Sequence, residues 1–291
     1  MFYKSLLFSE IFHPYMDDTN KLSHLFKKVS EQNKYASIET DVIFDDKLRK
    51  EFSNISKDSN WSVTNWVVNE VTQSGLSASA LDKNKYDKTI DKLYKLIDLA
   101  YEGNCEYFGL ASGPIEEGSD TEDALKQFEN TLYLVYDRIK DTDMKIIIEP
   151  LDQFAHKKFL IGTADRFAKF LNNLDDTDLV KKNKLSLCYD CAHMALNEDD
   201  FETAIPKLAK YTTKIHFSNA VLDKSNELYG DFHIPLGEPG FMNIKTASKI
   251  IDAFKKEGKN NLGIAAEVRT KNKENVWKME EETNSFVNKL V

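Results

Sequence analysis

Three kinds of feature are scarce in this 291-residue sequence, and each scarcity excludes a class of protein. Only three cysteines occur, which is too few for a disulfide framework and suits a reducing compartment. No run of 18 consecutive apolar residues is present, so no membrane-spanning helix is expected. The apolar stretch at the N-terminus is short, is interrupted by Glu10 and lacks a small-residue cleavage site. We therefore expect no secretory signal and a cytoplasmic protein.

Positive charge is also in deficit. The chain has 39 Lys and Arg against 48 Asp and Glu, a formal net charge of −9, and no segment concentrates basic residues without acidic ones between them. Binding to a nucleic-acid backbone depends on a basic surface, so nucleic acid is not expected as the main ligand. The hydrophobic content of 41% and charged content of 30% are those of an ordinary globular protein.

Two familiar binding motifs are missing or incomplete. Cys188 and Cys191 have C-x-x-C spacing, but no second pair follows and the setting is not that of a thioredoxin-like turn. We therefore expect neither a redox pair nor a structural zinc site there. No glycine-rich phosphate fingerprint follows the first predicted strand, which argues against a dinucleotide-binding fold.

What the sequence does contain is a regular alternation of short β-like runs with helical stretches. Helices are predicted at 21–32 and 124–140, with Thr163 as the N-cap of another and Gly258 as the stop of the last. Eight strand–helix units predict an α/β fold with a parallel sheet closed as a (β/α)₈ TIM barrel, which typically needs about 250 residues. No linker divides the chain, so residues 1–291 are predicted to form one domain. The predicted strands are 6–10, 35–42, 61–71, 107–111, 145–149, 185–190, 213–217 and 262–268.

Four metal-competent side chains lie in or at the ends of the last four predicted strands. They are Glu149 in KIIIEP, Asp190 in LSLCYD, His216 in TKIHFS and Glu267 in GIAAEV. The active site of a TIM barrel lies at the C-terminal ends of its strands, and strand alternation points the three from the sixth to eighth strands inward. Taken singly, a carboxylate at a strand end is more often a helix N-cap. Together, three carboxylates and one imidazole would repel without a cation, so we predict one divalent metal ion: Mn, Zn, Co, Mg or Fe, with Mn or Zn favoured.

Further residues are candidates for contacts with a substrate. Glu39 points inward by alternation and is predicted either to bind a substrate hydroxyl or to serve inside the barrel. Trp66 is a candidate wall of a sugar pocket, with aromatic core packing as the alternative. Arg269 shares the alternation of Glu267 and so should face the same pocket.

The segments IIIEPLD, YDCAHM, KIHFSN, DFHIPLGEPGFMN and IAAEVR resemble the xylose-isomerase-like TIM-barrel superfamily of sugar isomerases and epimerases, which also contains endonuclease IV. The resemblance to its ketose 3-epimerase branch implies that the four residues above are metal ligands, with Glu149 and Glu267 as the acid–base pair. It also implies that His193 binds substrate. That branch has an Arg shortly after the histidine of the seventh strand. Here Ser218-Asn219-Ala220 follows, and Arg269 is a candidate to substitute for it.

The resemblance to endonuclease IV extends to Asp231-Phe232-His233, which is similar to a D-x-H pair that holds an additional zinc together with a histidine at the position of His193. The two other zinc histidines of that family are absent from the regions NWVVNEV and GLASGP. A full trinuclear site is therefore not expected, and His233 is assigned to substrate binding. Whether Asp231 and His233 bind a second metal stays open.

The combined prediction is a metal-dependent sugar isomerase or epimerase that moves a proton next to a carbonyl through an enediolate. Its partner would be a small carbohydrate, with no nucleic acid and no membrane, and a homo-oligomer stays open. The alternatives are an endonuclease IV-like phosphodiesterase, an inosose-type dehydratase and a barrel that binds a sugar without catalysis.

Overall fold

A computed structural model describes residues 1–291. Eight parallel strands pair in chain order and close into a barrel, because β1 also pairs with β8 through Tyr3 and Gly263. The predicted TIM barrel is therefore confirmed. The strands are β1 (Tyr3–Leu7), β2 (Ser37–Asp41), β3 (Ser62–Trp66), β4 (Tyr107–Leu110), β5 (Lys145–Ile148), β6 (Leu185–Asp190), β7 (Thr212–Ser218) and β8 (Gly263–Glu267).

Helices surround the barrel, and two short 3-10 turns add to them at His13–Tyr15 and Lys273–Asn275. No helix of the chain is both long and apolar enough to cross a membrane. The helices are α1 (Phe8–Ile11), α2 (Thr19–Gln32), α3 (Asp46–Asp58), α4 (Val68–Gln73), α5 (Lys83–Glu102), α6 (Thr121–Ile139), α7 (Ala164–Leu174), α8 (Asp178–Lys181), α9 (Cys191–Leu196), α10 (Phe201–Leu208), α11 (Ile244–Lys256) and α12 (Val276–Asn288).

Most of the longer helices, with α12 as an exception, begin where a side chain can accept a backbone hydrogen bond from the first turn. Asp45 accepts from the N–H of Leu48 at 2.7 Å, and Thr163 accepts from that of Arg166 at 3.3 Å, as predicted for α7. Such a cap contributes about 1 kcal/mol. Gly258, two residues beyond α11, adopts a φ of +75°, which a glycine tolerates without strain and which ends that helix.

Two strand predictions were wrong in their boundaries. The first strand was predicted at 6–10, but β1 ends at Leu7 and α1 begins at once. The third was predicted at 61–71, but β3 ends at Trp66 and the valine-rich segment after it forms α4. Each strand stops where the barrel's hydrogen-bond register stops, and the apolar residues beyond it pack in helical turns, so tertiary packing overrides β-propensity.

The strand alternation separates an inner layer from an outer one, as predicted. Leu187 and Tyr189 of β6 point outward and join the large core between sheet and helices, whereas Cys188 between them points inward. The apolar part of the barrel interior is small. It consists of Leu7, Trp66, Tyr107, Ile147, Cys188 and Ala265.

Helix α12 lies across the start of the chain. Lys4 Nζ donates to Asn284 Oδ1 at 3.0 Å, and the Tyr35 hydroxyl donates to Glu280 Oε1 at 2.7 Å. Glu280 is buried, and Lys34 Nζ lies 3.2 Å from its carboxylate. These bonds fix the last helix onto the first two strands.

Candidate metal centre and substrate pocket

Strands β5 to β8 bring Glu149, Asp190, His216 and Glu267 together at the C-terminal end of the barrel. One ligand atom from each of the four lies within 4.8 Å of the others. Nδ1 of His216 lies 3.1 Å from Oε1 of Glu149 and 3.2 Å from Oε2 of Glu267. The two glutamates therefore meet the same imidazole nitrogen from two different strands.

The charge balance of this cluster fits a cation. Burial raises the pKa of Asp190 well above its usual range; the imidazole of His193 opposes this rise, and the negative charges of Glu267 and Glu149 add to it. Oδ2 of Asp190 is buried without any hydrogen-bond partner. A buried, unpartnered carboxylate oxygen beside two further carboxylates is a costly arrangement in the absence of a positive ion. The donor set of three carboxylates and one imidazole suits a divalent transition metal.

Glu267 and His216 have pKa shifts of opposite sign. Burial alone would raise the pKa of Glu267, but the imidazoles of His233 and His216 outweigh it and hold the pKa well below its usual range. Burial alone would lower the pKa of His216, but Cys188, Glu39 and Glu149 raise it well above its usual value. Without an ion, the histidines therefore supply the positive charge that the carboxylates require.

Glu39 lies below His216 and not on the pocket wall. Its side chain is fully buried, and its Oε2 lies 3.0 Å from Nε2 of His216. Lys214 Nζ lies 3.4 Å from the other oxygen. Burial would raise the pKa of Glu39, but Lys214 and His216 lower it to about 2. Of the two roles predicted for Glu39, this position corrects the first: the carboxylate is too deep to meet a substrate hydroxyl and belongs to the barrel interior.

Trp66 lies at the boundary between the pocket and the inner apolar layer of the barrel. Its ring lies against the edge of the His216 imidazole, with centroids 5.6 Å apart, and it lines the pocket above the cluster. It also packs in the inner apolar layer, and its Nε1–H donates to Glu39 Oε2 at 3.0 Å.

The pocket above the cluster has a cavity volume of about 70 Å³ and opens to solvent. Its lining includes the candidates His193, His233, Arg269 and Trp66 together with three of the four clustered ligands. The structure therefore brings together every predicted site residue except Glu39 around one cavity, with Asp190 below it.

Arg269 is held at one side of the pocket by Glu10. Nε and Nη2 of Arg269 donate to the two oxygens of the Glu10 carboxylate at 2.7 and 2.6 Å. Asp41 lines the same side. Burial raises the pKa of Asp41 to about 7, the charge of Glu10 adds to the rise, and Arg269 opposes it.

Two histidines also line the pocket, and one of them, His233, lies next to Glu10, with its Nδ1 3.3 Å from Glu10 Oε2. His233 Nε2 lies 3.1 Å from Asp231 Oδ2, and its Nδ1 lies 3.1 Å from Glu267 Oε1. His193 Nδ1 accepts the backbone N–H of Asp152 at 3.1 Å, so its Nε2 is the nitrogen that faces the pocket. Lys157 Nζ lies 3.2 Å from Asp231 Oδ2.

The sequence reasoning missed Glu10 and Lys157 as pocket residues. Glu10 was predicted to lie in the first strand, but strand alternation does not indicate its partner Arg269, two residues beyond β8. Lys157 belongs to the long segment between β5 and α7, where no periodic pattern indicates which side chain turns inward. Neither residue has a local signal, because each is defined by a partner far away in sequence.

The turn at Gly237–Gly240 is fixed by Asn219, in the segment where the epimerase branch has its Arg. Asn219 is fully buried; its Nδ2 donates to the carbonyls of Pro235 and Gly237, and its Oδ1 accepts from Met242 N–H. A Cβ on Gly240 would lie 2.2 Å from Asn219 Oδ1, so the close approach requires glycine.

Cys188 and Cys191 are buried free thiols, and burial raises the pKa of both.

Similar solved structures share this fold over nearly their whole length. A D-psicose 3-epimerase from Clostridium cellulolyticum H10, with D-tagatose, matches with a TM-score of 0.73 at 15% identity, covering 99% of this chain and 98% of that one. An AP endonuclease of family 2 from Brucella melitensis matches at 0.68 and 14%, with 99% and 97% covered. An IolI protein with a binding zinc atom matches at 0.69 and 14%, with 99% and 96% covered. These identities establish likeness of fold alone.

No curated protein sequence matches this chain. The family model described as "Xylose isomerase-like TIM barrel" matches residues 27–282, which is most of the chain. The resemblance that the strand-end motifs suggested is therefore confirmed at the level of the family. The chain belongs to the xylose isomerase-like TIM barrel family.

Proposed function

We propose that this protein is a sugar isomerase or epimerase that depends on one divalent metal ion and moves a proton next to a carbonyl through an enediolate. The observation that supports this most directly is the pair of glutamates. Glu149 and Glu267 approach the same nitrogen of His216 from β5 and β8, at 3.1 and 3.2 Å, and both line the pocket. Structural neighbours that act on ketoses, such as the D-psicose 3-epimerase, support the same class of substrate.

The four clustered residues would hold the ion, for which Mn²⁺ and Zn²⁺ are the favoured candidates. When bound, the ion supplies Lewis-acid stabilisation of negative charge on a substrate oxygen. The chemistry of the chain itself is proton transfer. Transfer between the two faces of a carbon requires a base on one side and an acid on the other. Glu149 and Glu267 are separate carboxylates on separate strands, and each has a second oxygen with which to accept or donate the proton.

The remaining pocket residues would bind and orient the sugar. His193 presents Nε2 toward the cavity, and the guanidinium of Arg269 is fixed in direction by Glu10. A sugar hydroxyl can accept from either group, while the carboxylates of the pocket can accept from a hydroxyl. Trp66 and Leu151 give the cavity an apolar wall against which a sugar ring or chain can rest.

A second candidate is phosphodiester cleavage, which the convergence of His193, Asp231 and His233 favours. His193 Nε2 lies 3.9 Å from Asp231 Oδ2, and His233 Nε2 lies 3.1 Å from it. Lys157 lies 3.2 Å from the same oxygen and supplies the positive charge there without a second metal. The net charge of −9 also supports a small neutral substrate over nucleic acid. We therefore rank the sugar reaction first, within a single domain that acts in the cytoplasm.

The test is hydrogen exchange in deuterated water. D-tagatose or D-fructose incubated with the metal-loaded protein should gain deuterium on the carbon beside the carbonyl. Glu149→Gln and Glu267→Gln should each slow this exchange by about 10²–10⁴, the usual contribution of one acid–base group. Glu280→Gln, which alters a buried carboxylate of α12 outside the pocket, should leave it unchanged. Two Gln variants that retain metal and exchange at the wild-type rate would rule out the two-glutamate mechanism.

A further inference from the structure

The interior of this barrel contains a charged pair where apolar side chains usually pack. Glu39 and Lys214 are both fully buried, and Nζ of Lys214 lies 3.4 Å from Oε1 of Glu39. Lys214 also donates to Ser37 Oγ at 2.7 Å. Replacing such a pair by apolar residues is often neutral or stabilising in other proteins, so its contribution to stability does not explain its presence.

Both oxygens of the Glu39 carboxylate have hydrogen-bond partners. Oε1 accepts from the Ser5 hydroxyl at 2.7 Å, and Oε2 accepts from Trp66 Nε1–H at 3.0 Å. Oε2 also lies 3.0 Å from Nε2 of His216. An indole N–H and an ammonium can only donate, and an ionised carboxylate can only accept. The proton between Glu39 and His216 therefore resides on Nε2 of the imidazole.

The position of that proton determines what the other imidazole nitrogen can do. A neutral imidazole has one N–H and one lone pair, so a proton held on Nε2 leaves the lone pair on Nδ1. Nδ1 is the nitrogen that faces Glu149 and Glu267. Only this tautomer can donate electrons to an ion in the cluster.

We propose that Glu39, paired with Lys214, is a positioning residue that directs the Nδ1 lone pair of His216 into the metal site and fixes the indole of Trp66 on the pocket wall. The inference rests on the proposed function, since it concerns the same metal site. One buried carboxylate thus orients both the proposed metal ligand His216 and the indole of Trp66 on the pocket wall. Carboxylates that orient metal-bound histidines typically change metal affinity by 10–100-fold when removed.

The test uses paired substitutions that remove both buried charges, so that neither is left without its partner. Glu39→Leu/Lys214→Met removes the acceptor, while Glu39→Gln/Lys214→Met keeps a weaker, neutral one. The matched control is Glu280→Gln/Lys34→Met, which removes a pair at 3.2 Å between the buried carboxylate of Glu280 in α12 and the part-exposed Lys34; neither residue lines the pocket. Zn²⁺ affinity is measured by competition with a chelator, and the proteins are labelled with ¹⁵N in the six histidines and three tryptophans.

In the wild-type protein, the Nε2–H of His216 and the Nε1–H of Trp66 should resonate downfield, because both donate to an ionised oxygen. The Leu variant should bind Zn²⁺ 10–100-fold more weakly. The Gln variant should lose less affinity, and both resonances should move upfield. If the Leu variant does not fold, the test depends on whether the Nε2–H and Nε1–H resonances of the Gln variant move upfield. The control should keep wild-type affinity and resonances.

Wild-type affinity together with unshifted resonances in either folded paired variant would overturn the role of Glu39. A wild-type protein that binds no Zn²⁺ or Mn²⁺ would instead overturn the proposed function. The two failures differ, because the Nε2–H and Nε1–H resonances can be recorded in metal-free protein and still test the contacts of Glu39.

Discussion

The two carboxylate oxygens of Asp190 have different partners. Oδ1 accepts the backbone N–H of His193 at 2.8 Å and so caps α9, whereas Oδ2 is buried and has no hydrogen-bond partner. A residue that served only as an N-cap would not need its second oxygen in a buried cluster of like charges. The cap and the proposed ligand are therefore two separable properties of one side chain.

The first prediction separates them. Asp190→Asn keeps an oxygen that can cap α9, since Asn caps about as well as Asp, but it loses the ligand charge. We expect wild-type protein to contain about one divalent ion per chain, and Asp190→Asn and His216→Ala to lose it, as measured by elemental analysis. Asp200→Asn, at the exposed cap of α10, is the control. Two or three ions per chain would favour the endonuclease-like alternative.

The second prediction concerns Arg269, which Glu10 holds through two hydrogen bonds. Lys cannot reproduce this planar, two-bonded geometry. Arg269→Lys should therefore raise KM for a ketose and lower kcat/KM by about tenfold, the equivalent of about 1.4 kcal/mol, with metal content unchanged. Arg138→Lys alters a similar pair with Asp98 on the outer surface and should leave the kinetics unchanged. Unaltered kinetics in Arg269→Lys would remove Arg269 from the substrate contacts.

The third prediction concerns the pH dependence of stability through Asp41. Its pKa is about 7 in the folded protein and about 3.8 when unfolded, so the folded state binds the proton more tightly. The favourable contribution is complete below the unfolded pKa and is lost as pH rises toward the folded pKa. The difference in free energy of unfolding between wild type and Asp41→Asn should increase in favour of wild type, by at most about 2 kcal/mol, when the pH is lowered from 8 to 5.5. Urea titrations of metal-free protein at both pH values measure this, and a constant difference would contradict it.

The fourth prediction concerns nucleic acid. A duplex with an abasic site should not be cleaved, and any binding should be weak and should fall steeply with salt, because the chain has no basic excess. A gel assay with excess substrate over protein distinguishes turnover from trace contamination. Incision over many turnovers that disappears in Glu149→Ala would show that the substrate class is wrong.

The sequence was sufficient to predict the barrel from its eight strand–helix units, and the convergence of the four clustered residues from their places at the strand ends and the period of two along the strands. Asp190 and Glu267 are the last residues of their strands and lie two positions after Cys188 and Ala265, which point into the barrel, so they point to the same side. The depth of Glu39 was not predictable from phase, since alternation gives the direction of a side chain but not its height in the barrel.

The helices that the sequence reasoning did not identify show a second limit. Helix α3 is mostly polar, with Leu48 and Phe52 as its few core contacts, and α12 follows a segment without a strong start signal. Their stability comes from packing on neighbours distant in sequence. Helix α12 is fixed by partners such as Tyr35, which lies 245 residues earlier.

The pairing of β1 with β8 has a consequence for synthesis of the protein. Glu267 is the last residue of the last strand, and Arg269 reaches back to Glu10 across 259 residues. Before β8 has been synthesised, the sheet has two open edges. Glu149, Asp190 and His216 are then present, but Glu267 is missing from the cluster. The proposed metal site therefore has all four of its residues in place only after β8 has joined β1 and β7 and closed the ring.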